Sequence, residues 1–282
     1  MGYLIKNIMI EGYKTLEDQK WINLNPKFNE GVESFQAGPR LWELTDPMKS
    51  SPIQELRDLG DEYRSQGGFD KDQYLKVQKL LANLSVPNFS RTNDISTNYE
   101  NTLFLGVARA GLPLMRNLPT RFPNAHYGFL DMQRNEENLE TETIGNSYPR
   151  KELDGIERVI VMESMFATGG SAVNAIKQAR KAHPNAQIDF FAIFAAPEGI
   201  LKLEREILEH DPKTAAYFVQ VDDRLNDQGF IQPGIGDAGD MAFGLKKGTQ
   251  YILDSKGELH RNNYNPLRMF EIILGDNAPN LN

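Results

Sequence analysis

Residues 157–171 read ERVIVMESMFATGGS: an apolar, β-branched run, a carboxylate at Glu163, then two adjacent glycines between Thr168 and Ser171. Beyond them Ala172, Val173, Ile176 and Ala179 share one face at helical spacing, so the stretch is a strand that turns through Gly169-Gly170 into a helix over 171–182. Glycines let backbone N–H groups turn toward an anion, the helix N-terminus adds positive partial charge, and two hydroxyls add donors. That is the composition of a phosphate cradle. It is not a Walker loop, because no Lys-Ser or Lys-Thr pair follows the glycines, and the G-x-G-x-x-G dinucleotide spacing is absent. A tight turn with no ligand would use the same two glycines.

Outward from this stretch, TLFLGVA (102–108), IDFFAIFA (188–195) and AAYFVQV (215–221) are further short apolar runs, separated by amphipathic segments such as 198–209. The alternation predicts an α/β core of buried parallel strands joined by right-handed crossovers. In such sheets ligands lie beyond the carboxyl ends of the strands, so the loops there carry the chemistry. One is Arg109-Ala110-Gly111, where an arginine offers planar paired donors to phosphate oxygens. An arginine in such a loop is not expected to hold the core together, so its removal should affect ligand steps more than folding. Another is DDRLNDQGFIQPGIGDAGDMAFG (222–244), whose glycines expose backbone donors and acceptors able to read the edge of a planar ligand. Phe230, Ile231, Ile235 and Phe243 are expected to anchor it.

The rest of the chain sets bounds. With 282 residues, 40% of them hydrophobic, it buries a sizeable core, and a formal charge of −8 gives no overall attraction to nucleic acid or an anionic membrane. Zero cysteines exclude thiolate catalysis and zinc–thiolate sites, and the four histidines lie too far apart to pair on one helix face. No run is long enough to span a bilayer and the N-terminus lacks a leader pattern, which makes a cytoplasmic protein the expectation. Residues 1–50 carry no sustained period and read as an arm. Ser51-Pro52-Ile53-Gln54 opens a helix to about Arg64, and Asp70 with Gln73 caps a second along Tyr74, Val77, Leu81 and Leu84. YILDSKGELH (251–260) reads as a hairpin with a frayed end beyond it. The expected organisation is an arm and helical segment over 1–98, a core over 99–245 and an extension over 246–282.

Taken in order, VARAGL, QRNEENLE, VMESMFATGGSA, FAAPEGI and DDRLNDQGFIQPGIGDAGDMAFG resemble the uracil phosphoribosyltransferase family over about residues 100–245. The resemblance implies a type I phosphoribosyltransferase-like parallel sheet flanked by helices, with a β-arm and an added N-terminal arm. It implies transfer of phosphoribose from phosphoribosyl pyrophosphate (PRPP) to uracil or a similar planar base, giving UMP and pyrophosphate in pyrimidine salvage. The PRPP site would comprise Arg109, Arg134, Glu163, Ser164, Met165, Phe166, Ala167, Thr168, Gly169, Gly170, Ser171 and Asp237. Within it, residues 168–171 would take the 5-phosphate, Glu163 the ribose hydroxyls, Arg109 the pyrophosphate, and Arg134 would sit on a flexible arm closing over it. Uracil would be read at Ile231, Gly236, Asp237 and Ala238, and catalysis would fall to Arg109, Arg134 and Asp237. The resemblance also implies Mg²⁺ held mainly through PRPP, with no protein cage, and a homodimer or higher homo-oligomer.

The chain departs from the family pattern at Glu163-Ser164, where Asp-Pro is usual, at Met241, where a basic residue is common, and at Gln232. Glutamate at 163 keeps the charge, whereas the changes at Met241 and Gln232 could retune the acceptor. A non-catalytic descendant that keeps the pocket as a PRPP or nucleotide sensor is the other reading the residues allow.

Overall fold

The computed structural model describes residues 21–23, 40–44, 50–84, 99–134, 141–143, 153–245, 250–254, 256, 258–262 and 265–274. Among them are strands β1 (Trp21–Asn23) and β2 (Leu41–Leu44), then helices α1 (Ser50–Gln66) and α2 (Lys71–Leu84). Strand β3 (Thr102–Ala108) is followed by single-turn helices α3 (Leu112–Met115) and α4 (Leu118–Arg121). β4 (His126–Arg134), β5 (Thr141–Thr143), β6 (Arg158–Phe166), α5 (Gly170–Ala182), β7 (Gln187–Ala195), α6 (Pro197–Leu203) and β8 (Thr214–Val221) continue the chain. β9 (Arg224–Leu225), β10 (Ile231–Gln232), α7 (Ala238–Phe243), β11 (Gln250–Leu253), β12 (Leu259–Asn262) and α8 (Pro266–Leu274) complete it.

Eight strands form one sheet in the order β1-β2-β8-β7-β6-β3-β4-β5. The centre, β8-β7-β6-β3-β4, is parallel throughout, as the continuous apolar runs predict. Side chains alternate between its faces. Phe104, Phe191 and Ile193 join a core with α1, α2, α7 and α8, whereas Leu103, Leu105, Phe190 and Ala192 pack with α5 and α6 on the other face. Both faces are therefore covered, which a parallel sheet requires.

Several expectations need adjustment. The stretch read as an arm without period supplies two strands: β2 pairs in parallel with β8 through Leu41↔Ala216, and β1 pairs antiparallel with β2. Strands of three and four residues show no periodicity, because edge pairing rests on backbone groups. Arg40 secures them by donating to the Thr214 carbonyl at 3.1 Å and to the carbonyls of Leu208 and Asp211. Helix α1 begins at Ser50, one residue before the expected start, and the Gln54 side-chain amide donates to Asp58 at 2.8 Å one turn onward. The Asp70–Gln73 box is formed reciprocally, at 2.8 and 3.0 Å. The helix expected over 198–209 begins at Pro197 and widens into a π turn over Glu204–Leu208.

The hairpin expected in the tail is β11–β12, with Leu253 opposite Leu259. It is followed by α8, which the expectation of a frayed end overlooked: Asn265 caps it by accepting from the Arg268 N–H at 3.0 Å, Pro266 sits in its first turn, and Met269, Phe270, Ile272 and Ile273 are buried. Phe270 packs on Phe129 of β4 with ring centroids 5.0 Å apart. Residues 275–282 lie outside the described residues.

Candidate active site

Parallel register brings the ends of β3, β6 and β8 to one sheet edge, with Gly106↔Met162, Phe166↔Ala195 and Ala195↔Val221 as partners. Three turns leave that edge, and side-chain contacts link them. In the first, Gly111 lies so close to its neighbours that a Cβ there would stand 2.5 Å from the Met162 carbonyl oxygen and 2.6 Å from that of Val107. Ser164, fully buried, donates its hydroxyl to the Ala110 carbonyl and so joins the first turn to β6. Its side chain is thereby spent on the scaffold. Arg109 pairs with Asp240 of α7 and donates to the Gly244 carbonyl at 2.5 Å, joining the first turn to the third.

Arg109 is 8% exposed, and its Nε has no hydrogen-bond partner among the described residues. The expectation that this arginine matters little to folding is therefore corrected: a buried guanidinium crosslinks two turns 131 residues apart. Its Nε is enclosed beside Gly239, where a Cβ would stand 3.1 Å from it.

In the second turn, Gly169 adopts a left-handed φ of 80° as the N-cap of α5, a conformation that favours glycine. Phe166 is buried against Phe190 and Phe218, so it anchors the loop from below. Met165 and Ala167 are half-buried against the core, and Thr168, Gly170 and Ser171 are partly exposed at the loop and helix start. The glycine of AAPEG has a specific use here, since a Cβ on Gly199 would stand 2.4 Å from the Ala167 carbonyl oxygen. Helix α6 begins against the 167–171 loop for that reason.

In the third segment, β9 and β10 form a short antiparallel ladder, and buried Asp222 accepts from the Gly234 N–H at 2.9 Å and from Arg57 of α1 at 2.5 Å. Asp237 caps α7 by accepting from the Asp240 N–H at 2.9 Å. Ile231, Ile235 and Phe243 anchor the segment as expected, but Phe230 is 40% exposed and does not. Met241 is fully buried in the core, so its departure from the family pattern does not face the ligand side. Gly236 and Ala238 flank Asp237, Gly236 with a φ of 93°.

Arg134 ends β4, three residues past Asp131, which pairs with Ala108 beside Arg109. It pairs with Thr141 of β5 at the root of a β-arm; its side chain and residues 135–140 lie outside the described residues. Burial pushes the Glu163 carboxyl up to about 8, so it holds its proton at neutral pH. Tyr63 of α1 is pushed up to about 12, by burial first and then by Asp240, Tyr74 and Asp237. Asp240, Arg57 and Tyr63 are contributors that the sequence reading did not single out. For Arg57 the available signal was its i, i+3, i+7 spacing with Gly60 and Arg64, which puts the three on one face of α1; Asp240 and Tyr63 had no such local signal.

A parallel sheet with helices on both faces, a glycine cradle entering a helix and an arm beside it define the type I phosphoribosyltransferase class. The uracil phosphoribosyltransferase family model matches residues 73–245. The chain is 33% identical over 215 residues to a uracil phosphoribosyltransferase of Streptomyces coelicolor, covering 73% of this chain and 98% of that one. It is 34% identical over 205 residues to another from Streptomyces griseus, covering 73% and 92%. Among solved structures, the AQ2163 protein from Aquifex aeolicus matches with a TM-score of 0.58 and 27% identity, over 73% of this chain and 98% of that one. The chain belongs to the uracil phosphoribosyltransferase family.

Proposed function

We propose that the three linked turns bind PRPP and uracil as one site, and that the chain transfers the phosphoribosyl group to uracil, giving UMP and pyrophosphate in pyrimidine salvage. The observation that carries this reading is the convergence of the Arg109 turn, the 163–171 loop and the 222–244 segment through the Arg109–Asp240 and Ser164–Ala110 contacts. Thr168, Gly169, Gly170 and Ser171 take the 5-phosphate at the N-terminus of α5, and Glu163 takes the ribose hydroxyls. Arg109 takes the pyrophosphate, and Arg134 approaches from the β-arm. Backbone groups at Ile231, Gly236 and Ala238 read the base, with Asp237 toward the sugar. Ser164 and Phe166 contribute through backbone only, since their side chains are buried in the scaffold.

In the reaction, the bond between the anomeric carbon and the pyrophosphate oxygen breaks while a bond to N1 of uracil forms, and the N1 proton leaves. No side-chain nucleophile takes part. The protein's share is to orient both reactants and hold donors where charge builds on the leaving group.

Among the described residues, the one grouping of three metal-capable side chains is Asp254, Glu258 and His260 of the C-terminal hairpin. On the donor side Asp237 offers a single carboxylate, which would meet Mg²⁺ arriving on PRPP directly or through water, whereas Glu163 keeps its proton at neutral pH and would be a poor ligand for it. When bound, the ion supplies charge neutralisation on the pyrophosphate. A cytoplasmic location and a homodimer or larger homo-oligomer complete the proposal. No helix among the described residues is long and apolar enough to cross a membrane.

The deciding experiment is incubation with PRPP, Mg²⁺ and uracil, with UMP and pyrophosphate measured as products. Turnover of another base but not uracil would replace the acceptor. PRPP binding without turnover on any base would establish a sensor instead.

A further inference from the structure

Helix α1 lies before the residues that the family model matches, yet it holds the base-reading segment at three points. Arg57 pairs with Asp222, whose other oxygen accepts the Gly234 N–H at 2.9 Å. Gly60 brings the helix so close that a Cβ there would stand 2.4 Å from the Ile235 carbonyl oxygen. Arg64 Nη1 donates to that same oxygen at 3.0 Å and lies 3.0 Å from where a Cβ on Gly236 would be. Asp61, one turn back, pairs with the other guanidinium nitrogen and aims the side chain. The Gly60 and Arg64 contacts meet on one peptide unit, Ile235–Gly236, and the Arg57–Asp222 pair holds Gly234 just before it.

A cation on a carbonyl oxygen draws electron density through the amide, so the N–H on the other side of that peptide becomes a stronger donor. Here that donor is the Gly236 N–H. We infer that Arg64 is a positioning residue for the acceptor base: it fixes the Ile235–Gly236 peptide and strengthens its N–H toward an oxo oxygen of the pyrimidine. Arg64 need not touch the base to do this. Its pairing with Asp61 joins two exposed side chains, 49% and 78%, and contributes little to stability, so the arginine's value lies in the loop. The inference rests on the reading that this segment binds the base, and it extends that reading to a helix with no other link to the ligand.

The test compares Arg64→Met and Arg64→Lys with the parent chain. In steady-state assays Arg64→Met is expected to raise KM for uracil about tenfold, the equivalent of one lost hydrogen bond, with kcat and KM for PRPP within about twofold. Arg64→Lys should recover part of the loss, because it returns a charged donor without the planar geometry. An unchanged uracil KM in Arg64→Met, or equal rises for both substrates, would overturn the inference. Amide hydrogen exchange separates this from the function itself. The Gly236 amide should exchange several-fold faster in Arg64→Met whatever base the enzyme uses, and equal exchange in both proteins would overturn the positioning role. A parent chain inactive on uracil would count against the acceptor assignment, and exchange at Gly236 would still decide the role of Arg64.

Discussion

Arg109 of the turn after β3 is ion-paired with Asp240 of α7, and the same guanidinium donates to the Gly244 carbonyl at the end of that helix. The residue that the family resemblance assigns to pyrophosphate is thus also a crosslink of the scaffold. Arg109→Ala would leave Asp240 and Gly244 without this donor at a site where the guanidinium was buried. A loss of about 3 kcal/mol is expected, the scale for breaking a buried pair from one side, and activity should fall as well. Arg109→Lys keeps the charge but loses the two-pronged geometry, so it should fall between. Thermal melts with and without PRPP check this; an Arg109→Ala melt equal to the parent's would reject the crosslink.

Glu163 yields a pH dependence whose sign follows from its surroundings. Burial raises its carboxyl from the ordinary 4.5 to about 8 in the folded chain. Below about 4.5 both folded and unfolded chains keep the proton, and this group contributes no slope. Between about 4.5 and 8 the unfolded chain releases it while the folded chain holds it, so stability falls as pH rises, by up to about 1.4 kcal/mol per unit, and levels off above about 8. Glu163→Gln removes the titration. Its melting temperature relative to the parent should therefore climb from pH 5 to pH 8, whereas a constant offset over that range would show that the carboxyl ionises normally in the folded chain.

How much of this was legible in the sequence follows from what each feature depends on. β3, β6, β7 and β8 were readable because burial on both faces writes a continuous apolar run, and the Asp70–Gln73 cap because its two residues are only three positions apart. β1 and β2 were not, since a strand of three or four residues at an edge is specified by the neighbour it pairs with. α8 follows an Asn-rich stretch with the composition of a loose end, although Asn265-Pro266 is itself a start signal. The turns after β3 and β6 were recognisable from local glycines. The Arg109–Asp240 and Arg57–Asp222 pairs were not, because they join residues 131 and 165 positions apart and depend on tertiary placement.

The close approach of α6 to the loop proposed to hold the 5-phosphate makes Gly199 a sensitive position. Gly199→Ala would put its methyl 2.4 Å from the Ala167 carbonyl oxygen, a contact relieved only by moving backbone. The loop that bears Thr168 to Ser171 should shift, raising KM for PRPP at least about tenfold, while a fold held by both core clusters loses about 1–3 kcal/mol, the usual cost of overpacking. Uracil affinity measured by equilibrium binding to the product-free protein should change less than PRPP affinity. Equal losses for both ligands would place the disturbance in the whole site rather than in the cradle.

Gln78 of α2 provides a test of how the C-terminal segment supports the site. Only 1% exposed, its amide nitrogen donates to the Ala242 carbonyl at 2.7 Å and the Tyr251 carbonyl at 2.8 Å, and its oxygen accepts the Leu253 N–H at 2.9 Å. One side chain therefore joins α2, the site helix α7 and the hairpin strand β11. Gln78→Leu would leave three backbone groups without this partner, at about 1–3 kcal/mol for each that water fails to reach. Gln78→Glu should be worse near neutral pH, because it replaces the donor with a second acceptor facing two carbonyls in a buried place. Denaturant unfolding should rank the parent above Gln78→Leu and Gln78→Leu above Gln78→Glu, with Gln78→Glu recovering as pH falls and its carboxyl gains a proton to donate. A Gln78→Glu variant as stable as the parent at pH 7 would mean that the three contacts do not carry the junction between α7 and the C-terminal hairpin.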